Sequence, residues 1–275
     1  MYYIKETDKP NKFNEIFHIV KLENDTIVLP TIKTSKKEKT IYKLAVKTKK
    51  ILDKTNSKKL VLSKNIKQQE EYVNDLYSYG YEIVDGKWLF QLLIFDVLEY
   101  IIKKLELKKE HIGIAILVND ISELAIYVIK ELVTTYKNVK IVTNHIHQLE
   151  HIEEKIIEEY GIFMNIGNNK RKILSKTDII LNLDFPTEVI NKYQINSKAT
   201  IINFRGNVKI KNKRFEGLNI NDYEIHWKKS ENTIFYTKDM YEAIQHKNQP
   251  IEDILKKIRQ DQIQIKELIA VNTII

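Results

Sequence analysis

The chain has no cysteine, and among its 275 residues only seven glycines and four prolines. The first absence excludes disulfides, thiolate nucleophiles and thiolate metal sites. The shortage of glycine extends to motifs. Neither a Walker phosphate loop nor a Gly-x-Ser-x-Gly nucleophile elbow occurs, so P-loop nucleotide triphosphatase and serine hydrolase chemistry have no support. No apolar run reaches the roughly 18 residues that a membrane-spanning helix needs. The start, Met1-Tyr2-Tyr3-Ile4-Lys5, lacks the charged-then-apolar pattern of a secretion signal. A cytoplasmic protein is the expectation. Arginine is also scarce, with four among the 45 basic residues.

Lysine, isoleucine and asparagine dominate instead, a usage expected of an AT-rich bacterial genome. The 43% of hydrophobic residues suffices for a sizeable core in two modest domains or one large one. The formal net charge of +8 is unevenly spread. Residues 33–67 carry thirteen lysines against Glu38 and Asp53, so this segment alone is +11 and the rest of the chain is −3. Within it, apolar residues at 41, 44, 45, 51 and 52 lie opposite most of the lysines, the pattern of a basic amphipathic helix. Lys43, Lys47, Lys49 and Lys50 form the basic surface that would meet nucleic acid or an anionic membrane surface. Tyr42 is the single aromatic residue there, and no helix-turn-helix or RNA-binding signature accompanies it.

A hairpin is expected from residues 16–20 and 26–29 around the turn-forming Glu23-Asn24-Asp25. Strands at 60–62 and 81–84 flank a helix over 66–79 that Gly80 ends, and a long apolar helix covers 88–105. The charged Lys108-Lys109-Glu110 then marks the expected boundary between a small basic α/β domain, residues 1–107, and a second domain, residues 108–275.

In the second domain the alternation is regular. Strands are expected at 112–118, 139–143, 162–165, 178–183 and 199–204, with helices at 122–136 and 146–160. Continuous apolar strands joined by short loops predict a Rossmann-like doubly wound parallel sheet, covered on both faces. Beyond Arg205 the pattern loosens, leaving an edge strand at 233–236 and an amphipathic helix over 251–269 that packs back on the body.

Lys140-Ile141-Val142-Thr143-Asn144-His145, Lys176-Thr177-Asp178-Ile179-Ile180-Leu181-Asn182 and Ala199-Thr200-Ile201-Ile202-Asn203 follow one another in order and spacing. Together they resemble strands two, four and five in the nucleotide-binding half of the shikimate dehydrogenase and glutamyl-tRNA reductase type of two-domain enzyme. The resemblance covers roughly a third of the chain and implies NAD or NADP as cofactor. The residues depart from it after strand one, where Val118-Asn119-Asp120-Ile121-Ser122-Glu123-Leu124-Ala125 contains no glycine. A dinucleotide fold needs glycine there, because the backbone must turn tightly and approach the pyrophosphate. Asp120 as helix N-cap, with Glu123 at the third helical position, is the expected occupant of that place. The first domain offers no counterpart of that family's catalytic lysine and aspartate.

The first expectation is therefore a Rossmann-like protein without cofactor or dinucleotide-dependent redox activity, acting by binding a small ligand or a partner protein. The second is a divergent NAD(P)-dependent oxidoreductase holding its nucleotide through Asn119, Ser122, Asn144 and Arg205. The third is nucleic-acid or membrane-surface binding through residues 33–67. Ligands of open α/β sheets bind beyond the carboxyl ends of the strands. The candidates at those ends are Asn119, Asp120, Ser122, Asn144, Asn165, Asn168, Asp184, Asn203 and Arg205. Arg205 stands out, since its guanidinium fork suits carboxylate or phosphate. His145, His147 and His151 have a spacing that suggests a metal, yet the helix turns His147 and His151 away from its apolar stripe, and no metal site is expected.

Overall fold

The computed structural model describes residues 1–31, 38–55, 57–227, 237–245, 249–271 and 273–275. Contacts divide the chain into two units, Met1–Gly86 with Tyr236–Lys247, and Lys87–Phe235 with Asn248–Ile275. The expected strand at 233–236 lies outside the described residues, as do Lys33, Lys36 and Lys37 of the basic segment.

The first unit runs β1 (Tyr2–Glu6), α1 (Lys12–Ile16), β2 (Lys21–Glu23), β3 (Thr26–Leu29), α2 (Glu38–Leu52), β4 (Lys59–Leu62), α3 (Lys64–Lys67), α4 (Glu70–Ser78) and β5 (Glu82–Val84). Its sheet has the order β2-β3-β1-β4-β5, parallel throughout except for β2. The expected hairpin is corrected in its first arm, which is β2 and not residues 16–20. The cause is local. The Asn11 side chain accepts from the Phe13 amide and starts a helical turn, which His18 ends at a φ of 50°. Asn24, at a φ of 53°, then makes the tight turn between β2 and β3. The helix expected over 66–79 is two helices, α3 and α4. On the sheet, α2 buries Ile41, Leu44, Ala45, Thr48 and Leu52 against Tyr72 and Leu76 of α4. The buried hydroxyls of Thr48 and Tyr72 satisfy each other at 2.7 Å.

The second unit begins with α5 (Lys87–Leu92) and α6 (Ile94–Lys104). It continues through β6 (Ile114–Leu117), α7 (Glu123–Thr135), β7 (Val139–Val142), α8 (Ile146–Tyr160), β8 (Asn165–Gly167), β9 (Ile179–Asn182), α9 (Thr187–Ile190), β10 (Thr200–Asn203) and β11 (Leu218–His226). Next come α10 (Lys238–Ala243), which belongs to the first unit, and α11 (Ile251–Gln260), β12 (Gln264–Ala270) and β13 (Thr273–Ile274), which belong to the second. The eight strands are ordered β13-β12-β11-β10-β9-β6-β7-β8. From β8 to β11 every pairing is parallel, which is the 3-2-1-4-5-6 order of a Rossmann-like sheet. The chain is thus a mixed α/β fold with two largely parallel sheets.

Two expectations change at the far edge. The helix over 251–269 stops at Gln260, because Gln262 takes a left-handed φ of 53°, and the residues after it form β12 antiparallel to β11. The loosened pattern beyond Arg205 contains the nine-residue β11. Gly217 admits that strand, since a Cβ there would collide with the Ala199 carbonyl. The units divide at Gly86 and not at the charged 108–110, because residues 87–104 pack within the second unit. Phe90 stacks on Tyr223 with ring centroids 4.3 Å apart and tilts onto Phe204 at 4.7 Å. From α6, the Tyr100 hydroxyl donates to the Ile275 carbonyl at 3.0 Å.

Candidate functional site

In this strand order the connections leave β6 and β9 in opposite directions, so a crevice opens beyond their carboxyl ends. β6 runs out into Val118-Asn119-Asp120, and β9 into Leu183-Asp184. The Asp184 carboxylate spans the gap. Both of its oxygens lie 2.9 Å from the Asn119 amide nitrogen, and Oδ2 also accepts from the Asp120 amide at 2.6 Å. These N–H groups follow strand one, where a glycine loop would present its backbone to a pyrophosphate. Here a carboxylate of the chain itself takes them.

The neighbouring loops are tied to the same point. The Asn119 side-chain oxygen accepts from the Asn144 amide at 2.9 Å, joining the loops after β6 and β7. Arg205, past the end of β10, places Nη1 3.0 Å from Asp120 Oδ2. Both partners of that pair are exposed, so it adds little stability. Asp184 is half-buried, and burial pushes its carboxyl above the usual carboxylate range. The Asp120 and Asn119 amides and the Arg205 charge pull the other way.

The helix cap differs from expectation. Ser122 is the N-cap of α7, its Oγ accepting from the Ala125 amide at 3.3 Å, while Asp120 lies two residues too early to cap. The Asp120 carboxylate turns to Arg205 instead. The amides of Asn119 and Asp120 are therefore taken by Asp184, and the cap of α7 by Ser122, not by an Asp120–Glu123 pair.

Asn203 is buried at the centre of an amide ladder that crosses three strands. Asn182 donates to Asn203 Oδ1 at 2.8 Å, and Asn203 donates to the side-chain oxygens of Asn219 and Asn221 at 2.8 and 2.9 Å. Both ends are closed by backbone: Asn182 caps onto Phe185, and Asn219 and Asn221 donate to the Val208 carbonyl. With its amide groups engaged in this way, the ladder is a structural element. Asn219 and Asn221 were missed in the sequence, although their two-residue spacing is that of one face of a strand.

Beside Asp184 and the ladder lies a cavity of about 330 Å³, whose lining includes Asn182, Asp184, Phe185, Glu188, Arg205 and Asn207. It offers two carboxylates and one guanidinium. Of the residues expected at the strand ends, the structure brings together Asn119, Asp120, Asn144, Asp184 and Arg205. It does not bring Asn165, which begins β8 opposite Lys140 because that strand is 165–167 and not 162–165. Asn168 is exposed beyond the far strand β8. His147 and His151 are exposed beside Glu150 and Glu154. Among the described residues, no group of three or more His, Cys, Asp or Glu is placed to hold a metal ion, and no helix is long and apolar enough to cross a membrane.

The four lysines of the expected basic surface divide by role. Lys47 donates to the Phe17 and His18 carbonyls, and Lys49 pairs with Asp53 at 2.6 Å. Lys43 and Lys50 are exposed.

No family model matches the chain, and no curated protein is found to be related to it. Among solved structures it is similar to the L-tryptophan dehydrogenase from Nostoc punctiforme, with a TM-score of 0.34 and 12% identity over 69% of this chain and 53% of that one. It is also similar to a protein from Trypanosoma cruzi designated an aspartate carbamoyltransferase, with a TM-score of 0.27 and 14% identity over 74% and 68%. The chain spans about half the length of the dehydrogenase. Neither likeness bears on function.

Proposed function

We propose that the Rossmann-like unit is a binding module for a small polar ligand, seated in the cavity beside Asp184, and that it carries out no dinucleotide-dependent redox reaction. One observation carries this reading: the amides of Asn119 and Asp120 are held by the Asp184 carboxylate. A pyrophosphate would have to displace that carboxylate and then meet Asp120 and Glu123 without glycine to admit its approach. The narrower kinship with shikimate dehydrogenase and glutamyl-tRNA reductase rests on strand-end motifs, and Asn182 and Asn203 of those motifs serve the amide ladder here. The cavity's mixture of Arg205 with Asp184 and Glu188 favours a ligand that bears both an acidic and a basic group, or neither.

The alternative, a divergent NAD(P)-dependent oxidoreductase, draws support from the strand order alone. Thermal-shift titration of the full chain with NAD, NADP and their reduced forms separates the two. The binding-module reading expects no change in Tm at millimolar dinucleotide. Saturable stabilisation, about 2.7 kcal/mol at 100 times Kd, would overturn it. A parallel screen of amino acids and small neutral polar compounds is expected to yield a stabilising ligand whose effect is lost in Arg205→Ala. A screen that yields no such ligand overturns the small-ligand reading.

A further inference from the structure

The first unit carries an exposed apolar turn beside a stripe of lysines, and the crevice of the second unit accounts for neither. Phe13, Ile16 and Phe17 around α1 and Leu22 of β2 are 60%, 71%, 56% and 46% exposed. The two phenylalanine rings rest on each other with centroids 4.6 Å apart, so α1 presents one apolar knob. On α2, Lys39, Lys43, Lys47 and Lys50, with Lys54 just past its end, fall within roughly a quarter of the helix circumference at 3.6 residues per turn. The opposite face is the buried one, formed by Ile41, Leu44, Ala45, Thr48 and Leu52. Lys47 joins the two features, since its ammonium donates to the carbonyls of Phe17 and His18 at 2.7 and 2.8 Å. The other four lysines are exposed and form no ion pair among the described residues.

We propose that this face docks the protein on an anionic lipid bilayer. Phe13, Ile16 and Phe17 enter the boundary between headgroups and acyl chains, while Lys39, Lys43, Lys50 and Lys54 lie against the negatively charged headgroups. An exposed apolar edge combined with a net-basic flank is the composition of an interfacial segment, and a surface of this sign finds its complement in anionic lipid. Nucleic acid fits less well. Ile16 and Leu22 have no ring to stack on a base, and residues 33–67 contain no arginine to read phosphate or base edges bidentately. Lysine, a compact point charge, suits a diffuse negative surface that makes no geometric demand.

The test is sedimentation of the full chain with vesicles of phosphatidylcholine alone or mixed with phosphatidylserine, at low and at physiological salt, alongside gel shifts with polyuridylate RNA. The expected result is pelleting with phosphatidylserine vesicles only, weakened by salt. Lys43→Glu with Lys50→Glu should lower that affinity by at least about tenfold, since each headgroup-facing lysine contributes about fivefold and two are lost. Phe13→Ser with Phe17→Ser should lower it comparably at unchanged charge, and both double variants should keep the wild-type Tm. Should the serine pair unfold the turn, Ile16→Trp gives an independent reading, its emission shifting to the blue on phosphatidylserine vesicles. Absence of pelleting at low salt, equal pelleting with pure phosphatidylcholine, an unshifted Ile16→Trp emission, or RNA retention without vesicle binding overturns the proposal.

Discussion

At the carboxyl edge of the larger sheet, Asp184, Asn119, Asn182, Asn203 and Asn219 are turned on one another and on the backbone, whereas on α2 of the first unit Lys39, Lys43, Lys50 and Lys54 face solvent and form no ion pair among the described residues. Both sheets are largely parallel and both carry polar side chains in abundance. The difference is that desolvated polar groups must find partners or cost stability, while exposed lysines need none. Inside the crevice, polarity therefore shapes the fold. On α2 it is available for a partner.

The comparison is broken most severely by opening the amide ladder. Asn203→Leu leaves the amides of Asn182, Asn219 and Asn221 without their central partner and is expected to cost about 3 kcal/mol, read from urea unfolding. A loss below about 0.5 kcal/mol would mean that water replaces the ladder.

Asp184→Ala should cost about 2 kcal/mol, since it strips the amides of Asn119 and Asp120 of their acceptor. It also exposes those amides to other anions. Inorganic pyrophosphate is then expected to raise the Tm of the variant and not that of the wild type. The pH dependence follows from the raised carboxyl of Asp184. The folded chain keeps this proton to a higher pH than the unfolded chain, so stability declines as pH rises from the ordinary carboxylate value through the raised one. Asp184→Asn removes that decline, and denaturation of both proteins across the acid range should show the wild type losing ground to the variant as pH rises through that window.

Tyr72→Phe, in the core of the first unit, deprives the buried Thr48 hydroxyl of its partner and should cost about 1 kcal/mol. At the small end, Lys43→Glu with Lys50→Glu should change stability by no more than about 0.5 kcal/mol. A larger change would show that the lysine stripe is structural and would remove the contrast between the two regions.

Most of the central architecture was legible in the sequence, because Ile114-Ala115-Ile116-Leu117 and Ile179-Ile180-Leu181 are short continuous apolar runs alternating with helical patterns, as in a sheet buried on both faces. The misreadings have physical causes. β1 buries only Ile4 completely, so its pattern carries no alternation to read. Residues 251–269 repeat apolar positions at a spacing that fits one helix, and the break at Gln262 has neither glycine nor proline to announce it. Asn119, Asp120, Asn144, Asp184 and Arg205 were legible as strand-end residues, since Asn and Asp favour turns, but they were read together with Asn165 and Asn168, which the fold does not bring to them. Their partners were not, because Asn119 with Asp184 and Asp120 with Arg205 are long-range pairs.

What the sequence determined by itself is the alternation of strands and helices, the glycine-free turn after strand one and the concentration of positive charge in residues 33–67. All three are local properties of composition and spacing. What only the tertiary structure decided is which group answers the amides of that turn. The local candidate, Asp120, points to Arg205 across the crevice, and Asp184, 65 residues away from Asn119, takes the place instead. The parallel register of β6 and β9 sets those two strand ends side by side.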